Sequence, residues 1–332
     1  MEANISVFIF TECLSSTGLG HLGRCTALTE ILIESGLKVE LILHSDGTGV
    51  GKNTPYPIHI LDWKNPEILN SLLVKYNISI AFVDSYLASE NIYEIICKRV
   101  KKLISIDDTN RIPYPDDSII LNPGFGGNYI DYARNPIQIL SGAEFTLLRE
   151  PFRKKFTIPE VREKIQSVLI TVGGEDRLNL VPKILNLLNG KYPEWKKQVL
   201  VGPAFKNLEE ISHSQSNNTV FHKNLDATAI RDLMISVDIA ITAGGQTTYE
   251  LARCGIPMVM IEVVSNQGGN IRGFNELGVP SLMGYEDNVE FKHQLSELIR
   301  KLELKEERKI LRQQYGKIQS NRLVEWVRDT IC

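Results

Sequence analysis

The sequence predicts an α/β protein made of two doubly wound, Rossmann-like domains. Three observations carry that expectation. Short apolar runs alternate with helix-period patterns from the N-terminus to about residue 300. The apolar runs are continuous, the mark of strands buried on both faces of a parallel sheet. The alternation breaks once near the middle of the 332-residue chain, a length beyond the usual single core.

Residues 5–10 read as a buried strand followed by a Ser/Thr/Gly loop. From Leu22, the apolar residues Cys25, Leu28, Ile31 and Leu32 recur at helical spacing, and Gly36 fits a helix stop. Residues 39–43, 78–83, 103–106 and 119–121 read as further strands. Residues 150–166 contain Pro151, Pro159 and a run of charges, and read as a linker. A second cycle opens with a strand at 167–172 and continues at 198–201, 238–242 and 257–261, with helices at 178–188 and 247–254 between them. The charged tail, 303–327, reads as helical. The expected organisation is a first domain at 1–150, a linker at 151–166 and a second domain at 167–310. A final helix at 311–332 is expected to return to the first domain. In open sheets of this kind ligands sit beyond the carboxyl ends of the strands, so two such domains are expected to face a cleft.

Hydrophobic residues make up 43% of the chain and charged residues 23%, the balance of a globular protein. A formal net charge of −3 gives no electrostatic reason to expect nucleic acid or an anionic membrane as partner. The five cysteines are scattered without a Cys-x-x-Cys pair, which disfavours a disulfide framework and a structural zinc site. Residues 1–10 lack the pattern of a signal peptide. No apolar run approaches the roughly 20 residues that cross a bilayer. A cytoplasmic monomer without membrane insertion is expected. No cofactor or metal is predicted, since His44, His59, His213, His222 and His293 show no mutual ligand spacing.

Three glycine loops follow predicted strands. The first, Thr17-Gly18-Leu19-Gly20-His21-Leu22-Gly23-Arg24, formally matches G-x-G-x-x-G. However, Gly18 stands well past the strand end at Phe10, and Asp46 is a poor acidic partner, which disfavours nicotinamide or flavin. Gly18 and Gly20 instead clear the approach to a helix N-terminus that presents His21. The partial positive charge there opposes imidazolium and favours the neutral imidazole of a general base. A histidine with only a structural hydrogen bond is the competing reading.

The second loop, Val172-Gly173-Gly174-Glu175-Asp176, allows close backbone approach to a ligand, or is a tight strand-to-helix turn with Asp176 as cap. The third, Ala243-Gly244-Gly245-Gln246-Thr247-Thr248, opens a helix whose N–H groups suit a diphosphate, with Glu250 placed to accept both ribose hydroxyls. Glu250 as a simple complement to the helix dipole is the alternative. Asp107-Asp108 reads as a cap or turn, because adjacent strand residues point to opposite faces. Residues 305–309 read as a solvated helical face.

In order along the chain, Gly18-Leu-Gly-His-Leu-Gly-Arg24, Val83-Asp-Ser-Tyr86, Ser105-Ile-Asp-Asp108, Ile120-Leu-Asn122, Leu147-Leu-Arg-Glu150, Val172-Gly-Gly-Glu-Asp176, residues 243–250 and Ser265-Asn-Gln267 carry a resemblance. The chain resembles the UDP-2,4-diacetamido-2,4,6-trideoxy-β-L-altropyranose hydrolases of pseudaminic acid biosynthesis and the related spore coat polysaccharide biosynthesis proteins. These belong to the wider GT-B clan of nucleotide-sugar enzymes. The resemblance implies metal-independent hydrolysis of a UDP-linked diacetamido-trideoxyhexose, with His21 activating water for inverting attack. It implies an active-site role for Tyr86, nucleotide contacts from Gly173, Gly174, Gly244, Gly245, Gln246, Thr247 and Glu250, and sugar contacts from Gly20, Asn266 and Gln267.

Two segments depart from the family pattern. Phe10-Thr11-Glu12 stands where the family often has Arg-x-Asp, and Asp84-Ser85-Tyr86 where it often has Asp-His-Tyr. Both point to a different sugar. A GT-B glycosyltransferase using a UDP-sugar donor is the first alternative, and a non-catalytic nucleotide-sugar binding protein the second. The lack of a concentrated apolar and basic patch in the N-terminal half favours hydrolysis over transfer to a lipid acceptor.

Overall fold

A computed structural model describes residues 6–17, 20–47, 56–132, 138–283, 290–318 and 322–330. Gly18, part of the first glycine loop, lies outside the described residues. The chain forms two compact α/β units, one containing the elements up to Glu150 and the last helix, the other running from Pro151 to Ile318.

The first unit is built from β1 (Ser6–Cys13), α1 (Gly20–Glu34), β2 (Lys38–Ser45), β3 (Ile58–Ile60), α2 (Pro66–Lys75), β4 (Ile80–Asp84), α3 (Glu90–Cys97), β5 (Lys102–Ile106), β6 (Ile119–Asn122) and β7 (Gln138–Ser141). Its seven strands among the described residues are parallel, in the order β3-β2-β1-β4-β5-β6-β7. The strand β1 shows why the run reads as continuously apolar. Val7 and Ile9 face Cys25, Leu28 and Leu32 of α1, while Phe8 and Phe10 pack with Leu69, Leu72, Ile92 and Ile96 of α2 and α3. Alternate side chains thus enter two separate cores, one on each side of the sheet. The strand runs to Cys13, so Thr11 and Glu12, expected in a loop, are strand residues with no exposure. Helix α1 starts at Gly20 and ends before Gly36, whose φ of +85° allows the left-handed stop. Asn65 caps α2, its Oδ1 accepting from Glu67 N at 2.9 Å and Ile68 N at 3.3 Å.

A short helix, α4 (Glu150–Arg153), marks the change of unit. The second unit follows with β8 (Ser167–Thr171), α5 (Leu180–Lys191), β9 (Lys196–Leu200), α6 (Leu208–His213), β10 (Thr219–His222), α7 (Ala227–Ser236), β11 (Ile239–Ala243), α8 (Thr247–Arg253), β12 (Met258–Ile261), α9 (Gly268–Glu276), β13 (Ser281–Leu282), α10 (Phe291–Glu303) and α11 (Lys305–Tyr315). Its six strands among the described residues are also parallel, ordered β10-β9-β8-β11-β12-β13. The last helix, α12 (Arg322–Thr330), buries Leu323 and Val327 in the α1 side of the first unit's core. Residues 305–309 are not a uniformly solvated face. Arg308 is 1% exposed because α11 turns it inward onto backbone carbonyls.

Each sheet reverses direction once, between β1 and β4 in the first unit and between β8 and β11 in the second. The carboxyl ends of such strand pairs are where doubly wound sheets bind ligands. No described helix is long and apolar enough to cross a membrane.

Candidate active site

In the first unit the reversal point gathers a buried charged cluster. Helix α1 follows β1 and sets His21 at its N-terminal end, 4% exposed. The neighbouring strand β4 ends in Asp84, which has no exposure. His21 Nδ1 and Asp84 Oδ1 are 2.7 Å apart. Arg24, one helical turn beyond His21, reaches the same carboxylate with Nε at 2.5 Å from Oδ2 and Nη2 at 2.6 Å from Oδ1.

Burial alone would raise the Asp84 carboxyl, but the Arg24 and His21 contacts outweigh it and hold the group well below the usual carboxylate range. The Arg24 guanidinium, despite burial, is held charged by Asp108 and Asp84. An ionised Asp84 can only accept hydrogen bonds, so Nδ1 of a neutral His21 carries the proton and Nε2 carries the lone pair. That is the tautomer a general base requires.

The cluster closes into a ring. Arg24 Nη1 donates to both oxygens of Asp108, at 2.8 and 2.6 Å. Tyr86 Oη donates to Asp108 Oδ2 at 2.9 Å, and the Tyr86 ring meets the His21 ring edge-on, centroids 4.3 Å apart. His21, Asp84, Arg24, Asp108 and Tyr86 therefore form one circuit around the imidazole. Cys25 Sγ also donates to Asp84 Oδ2, at 3.4 Å.

Beside this ring lies buried Glu12. It accepts from Ser85 Oγ at 2.6 Å and from the Tyr86 backbone N–H at 2.9 Å, with Lys64 Nζ 3.9 Å away. Lys64 also donates to His44 Nδ1. Gly20 has open space where a Cβ would stand.

The expected cap or turn role of the carboxylate pair fits Asp107, which accepts backbone N–H groups from Thr109, Asn110 and Arg111. It fails for Asp108, which turns to Arg24 and Tyr86. Sequence patterns alone do not assign roles to Asp84, Arg24 and Asp108. Arg24 had a signal, because residues i and i+3 share a helical face. Asp84 had a weaker one, as the last residue of a strand with a Ser-Tyr loop behind it.

The second unit places both remaining glycine loops at its own reversal point, after β8 and after β11. Gly173, at φ +96°, and Gly174 are exposed. Their carbonyls pack against Gly202, where a Cβ would collide with them. Asp176 caps the next helix, accepting from Leu180 N at 2.7 Å and Val181 N at 3.0 Å.

After β11, Gly244 is required by close approach. A Cβ there would lie 2.5 Å from Ile271 Cγ1 and 2.6 Å from its Cδ1. The Gly244 N–H donates to the Ile261 carbonyl at 3.2 Å, so the expected phosphate donation from it does not hold. Gly245, Gln246 and Thr247 begin the helical turn, where N–H groups have no intrahelical acceptor. Asn270 Nδ2 ties this loop to α9 by donating to Gly244 O at 2.6 Å. Glu250 is buried in the first turn of α8. Asn266 is exposed on a short turn at Ser265–Gln267, and Gln267 Oε1 accepts from Val263 N at 3.0 Å. Among the described residues no three His, Cys, Asp or Glu side chains group as metal ligands.

No family model matches the chain. It is 25% identical over 292 residues to the pseudaminic acid cytidylyltransferase and UDP-2,4-diacetamido-2,4,6-trideoxy-β-L-altropyranose hydrolase of Helicobacter pylori, an alignment covering 84% of this chain and 48% of that protein. The chain thus spans about half the length of that relative. It is 20% identical to the spore coat polysaccharide biosynthesis protein SpsG of Bacillus subtilis, over 85% of each chain. Among solved structures it resembles Acinetobacter baumannii MurG, with a TM-score of 0.65 and 12% identity over 98% of this chain and 99% of that one. It also resembles the spinosyn rhamnosyltransferase SpnG complexed with thymidine diphosphate, with a TM-score of 0.63 and 14% identity over 98% and 99%. The fold is that of the GT-B glycosyltransferases, two Rossmann-like α/β units.

Proposed function

We propose that the chain is an enzyme that hydrolyses a UDP-linked diacetamido-trideoxyhexose to UDP and the free sugar, with inversion. The observation that carries this reading is the hydrogen bond from His21 Nδ1 to buried, ionised Asp84, 2.7 Å long. Of the two activities in the Helicobacter pylori relative's name, hydrolysis is the one for which a neutral imidazole backed by a carboxylate supplies a base.

In the proposed reaction His21 Nε2 takes a proton from water as the water oxygen bonds to the anomeric carbon. The carbon–oxygen bond to the diphosphate breaks, and its electron pair leaves on UDP. UDP is a good leaving group and needs no protein acid. Asp84 accepts the Nδ1–H throughout and stabilises the imidazolium, which then returns its proton to solvent. Gly245, Gln246 and Thr247 stabilise the diphosphate from the start of α8, and Glu250 accepts the ribose hydroxyls. Gly244 acts there by leaving room, and Gly173 and Gly174 line the neighbouring strand end. Gly20, Asn266 and Gln267 contact the sugar, and Tyr86 holds the His21 ring. The thymidine diphosphate held by the similar SpnG supports a nucleotide in this fold. A cytoplasmic setting in surface-glycan biosynthesis belongs to the same proposal.

A second reading, glycosyl transfer, is favoured by one observation: the similar solved structures include glycosyltransferases over nearly the whole chain. The same base would then deprotonate a sugar or lipid hydroxyl in place of water.

The test is proton NMR of the purified protein with UDP-2,4-diacetamido-2,4,6-trideoxy-β-L-altrose, with EDTA present. A His21→Ala variant that still binds UDP runs alongside. Release of UDP and free sugar by the unmodified protein alone supports hydrolysis with His21 as base. Turnover only on adding an acceptor supports transfer. UDP binding without turnover across a panel of UDP-sugars and acceptors defeats both and leaves a binding protein.

A further inference from the structure

A histidine beside one buried carboxylate, with a second close by, ordinarily gains a proton, because both negative charges favour imidazolium. That would spoil it as a base. In this unit the opposing charge comes from Arg24. Its Nη2 lies 3.4 Å from His21 Nδ1, and the same guanidinium spans Asp84 and Asp108 through four contacts of 2.5–2.8 Å.

We propose that Arg24 is a positioning residue that keeps His21 in its neutral, Nε2-unprotonated form and fixes the ring plane from both sides. One arm acts through Asp84 on Nδ1. The other acts through Asp108 and the Tyr86 hydroxyl on the aromatic edge against which the imidazole rests. With His21 neutral, the cluster of His21, Arg24, Asp84 and Asp108 carries one net negative charge. Without Arg24 the same group would carry two, and the pull on a proton at His21 would be stronger.

The other ionisable groups around His21 do not substitute for Arg24. On α1, Cys25 donates its thiol proton to Asp84, and burial pushes that thiol far up. From β1, Glu12 reaches toward the site through the Tyr86 N–H, with Lys64 and Ser85 as its partners. Arg111 is spent on the Ser85 and Ala88 carbonyls, and Asp107 on its own turn and the hydroxyls of Tyr114 and Tyr132. Tyr93, buried, is pushed far up by desolvation.

The inference rests on the proposed base role of His21 for its catalytic meaning, but its test needs no substrate. The His21 ring is titrated by NMR in the free, histidine-labelled protein, with His21→Gln identifying its signal. Arg24→Met is expected to raise the His21 pKa by about one unit or more. Asp108→Asn, which removes a negative charge and frees Arg24, is expected to lower it. Arg24→Lys keeps the charge but loses the fork, and is expected to leave the pKa near the unmodified value. Where turnover is measurable, the acid limb of kcat/KM moves with each pKa. A folded Arg24→Met with an unchanged His21 pKa overturns the proposal. So does an Asp108→Asn shift upward, a readout that stands even where Arg24→Met fails to fold. Opposite shifts in a protein that turns over no UDP-sugar would uphold Arg24 and sink only the hydrolysis.

Discussion

His21 and Asp84 are joined by one 2.7 Å hydrogen bond at the point where the first sheet reverses, the carboxylate wholly buried and the imidazole 4% exposed. Asp84→Asn keeps the shape and removes the charge. The asparagine oxygen can still accept from Nδ1, but it no longer stabilises an imidazolium. The expected outcome is a fall in kcat of about 100-fold or more with UDP affinity unchanged. Rates of UDP release and calorimetric UDP binding check this together. A kcat within a few-fold of the unmodified protein would remove the dyad from the chemistry.

The same carboxylate ties stability to acid. Its folded-state pKa is depressed because the Arg24 and His21 contacts overcome the upward push of burial. A depressed carboxyl contributes stability above its unfolded value, about 3.9. That contribution is lost as pH falls from there toward the folded value. Urea unfolding at pH 5 and at pH 3 is therefore expected to show a steeper loss for the unmodified protein than for Asp84→Asn. Parallel losses would mean that the carboxyl is not held down in the folded state.

What the sequence shows of this fold is its interior, and the reason is burial. Runs such as residues 78–83 and 103–106 read as strands because β4 and β5 are covered on both faces. The strands that sequence patterns do not mark, β3, β7, β10 and β13, are the sheet edges among the described residues. An edge strand is short and partly solvated, so Gln138–Ser141 and Thr219–His222 show no continuous apolar run. The site divides in the same way. His21 is legible from its glycine frame, since that is local. Asp84 and Asp108 join it only through β-strand adjacency, over 63 and 84 residues of chain separating them from His21 and Arg24 respectively. For Gly244 the local pattern misleads, because its N–H is spent in the β11–β12 ladder.

That difference separates Gly244 from Gly245. A methyl group on Gly244 would stand 2.5 Å from Ile271 Cγ1, whereas the nearest atom to one on Gly245 is Gln267 Nε2 at 3.8 Å. Gly244→Ala is expected to destabilise the second unit by about 1–3 kcal/mol through overpacking against α9. Gly245→Ala is expected to leave stability within about 0.5 kcal/mol while weakening UDP binding through its bulk at the helix start. Urea unfolding and UDP titration of the two variants check the split. Equal stabilities would mean that α9 gives way at no cost.

Arg308 offers a test of stability away from the sites. It is 1% exposed and donates to four carbonyls: Leu302 at 2.5 Å, Glu303 at 2.9 Å, Arg162 at 2.7 Å and Glu163 at 3.2 Å. Two of these acceptors close the end of α10, and two hold the segment that leads into β8. Arg308→Met keeps most of the side-chain volume but leaves all four carbonyls without this donor. The expected cost is about 2–4 kcal/mol, since four charge-assisted hydrogen bonds are lost together and the buried Leu302 carbonyl loses this donor. Lys309→Ala, one residue along, removes an exposed ion pair with Glu306 and should leave stability close to that of the unmodified protein. Urea unfolding measures both, with hydrogen exchange locating the Arg308 loss to α10, α11 and the approach to β8. Comparable effects from the two neighbours would mean that residues 305–309 behave as the uniform solvated face their charges suggest.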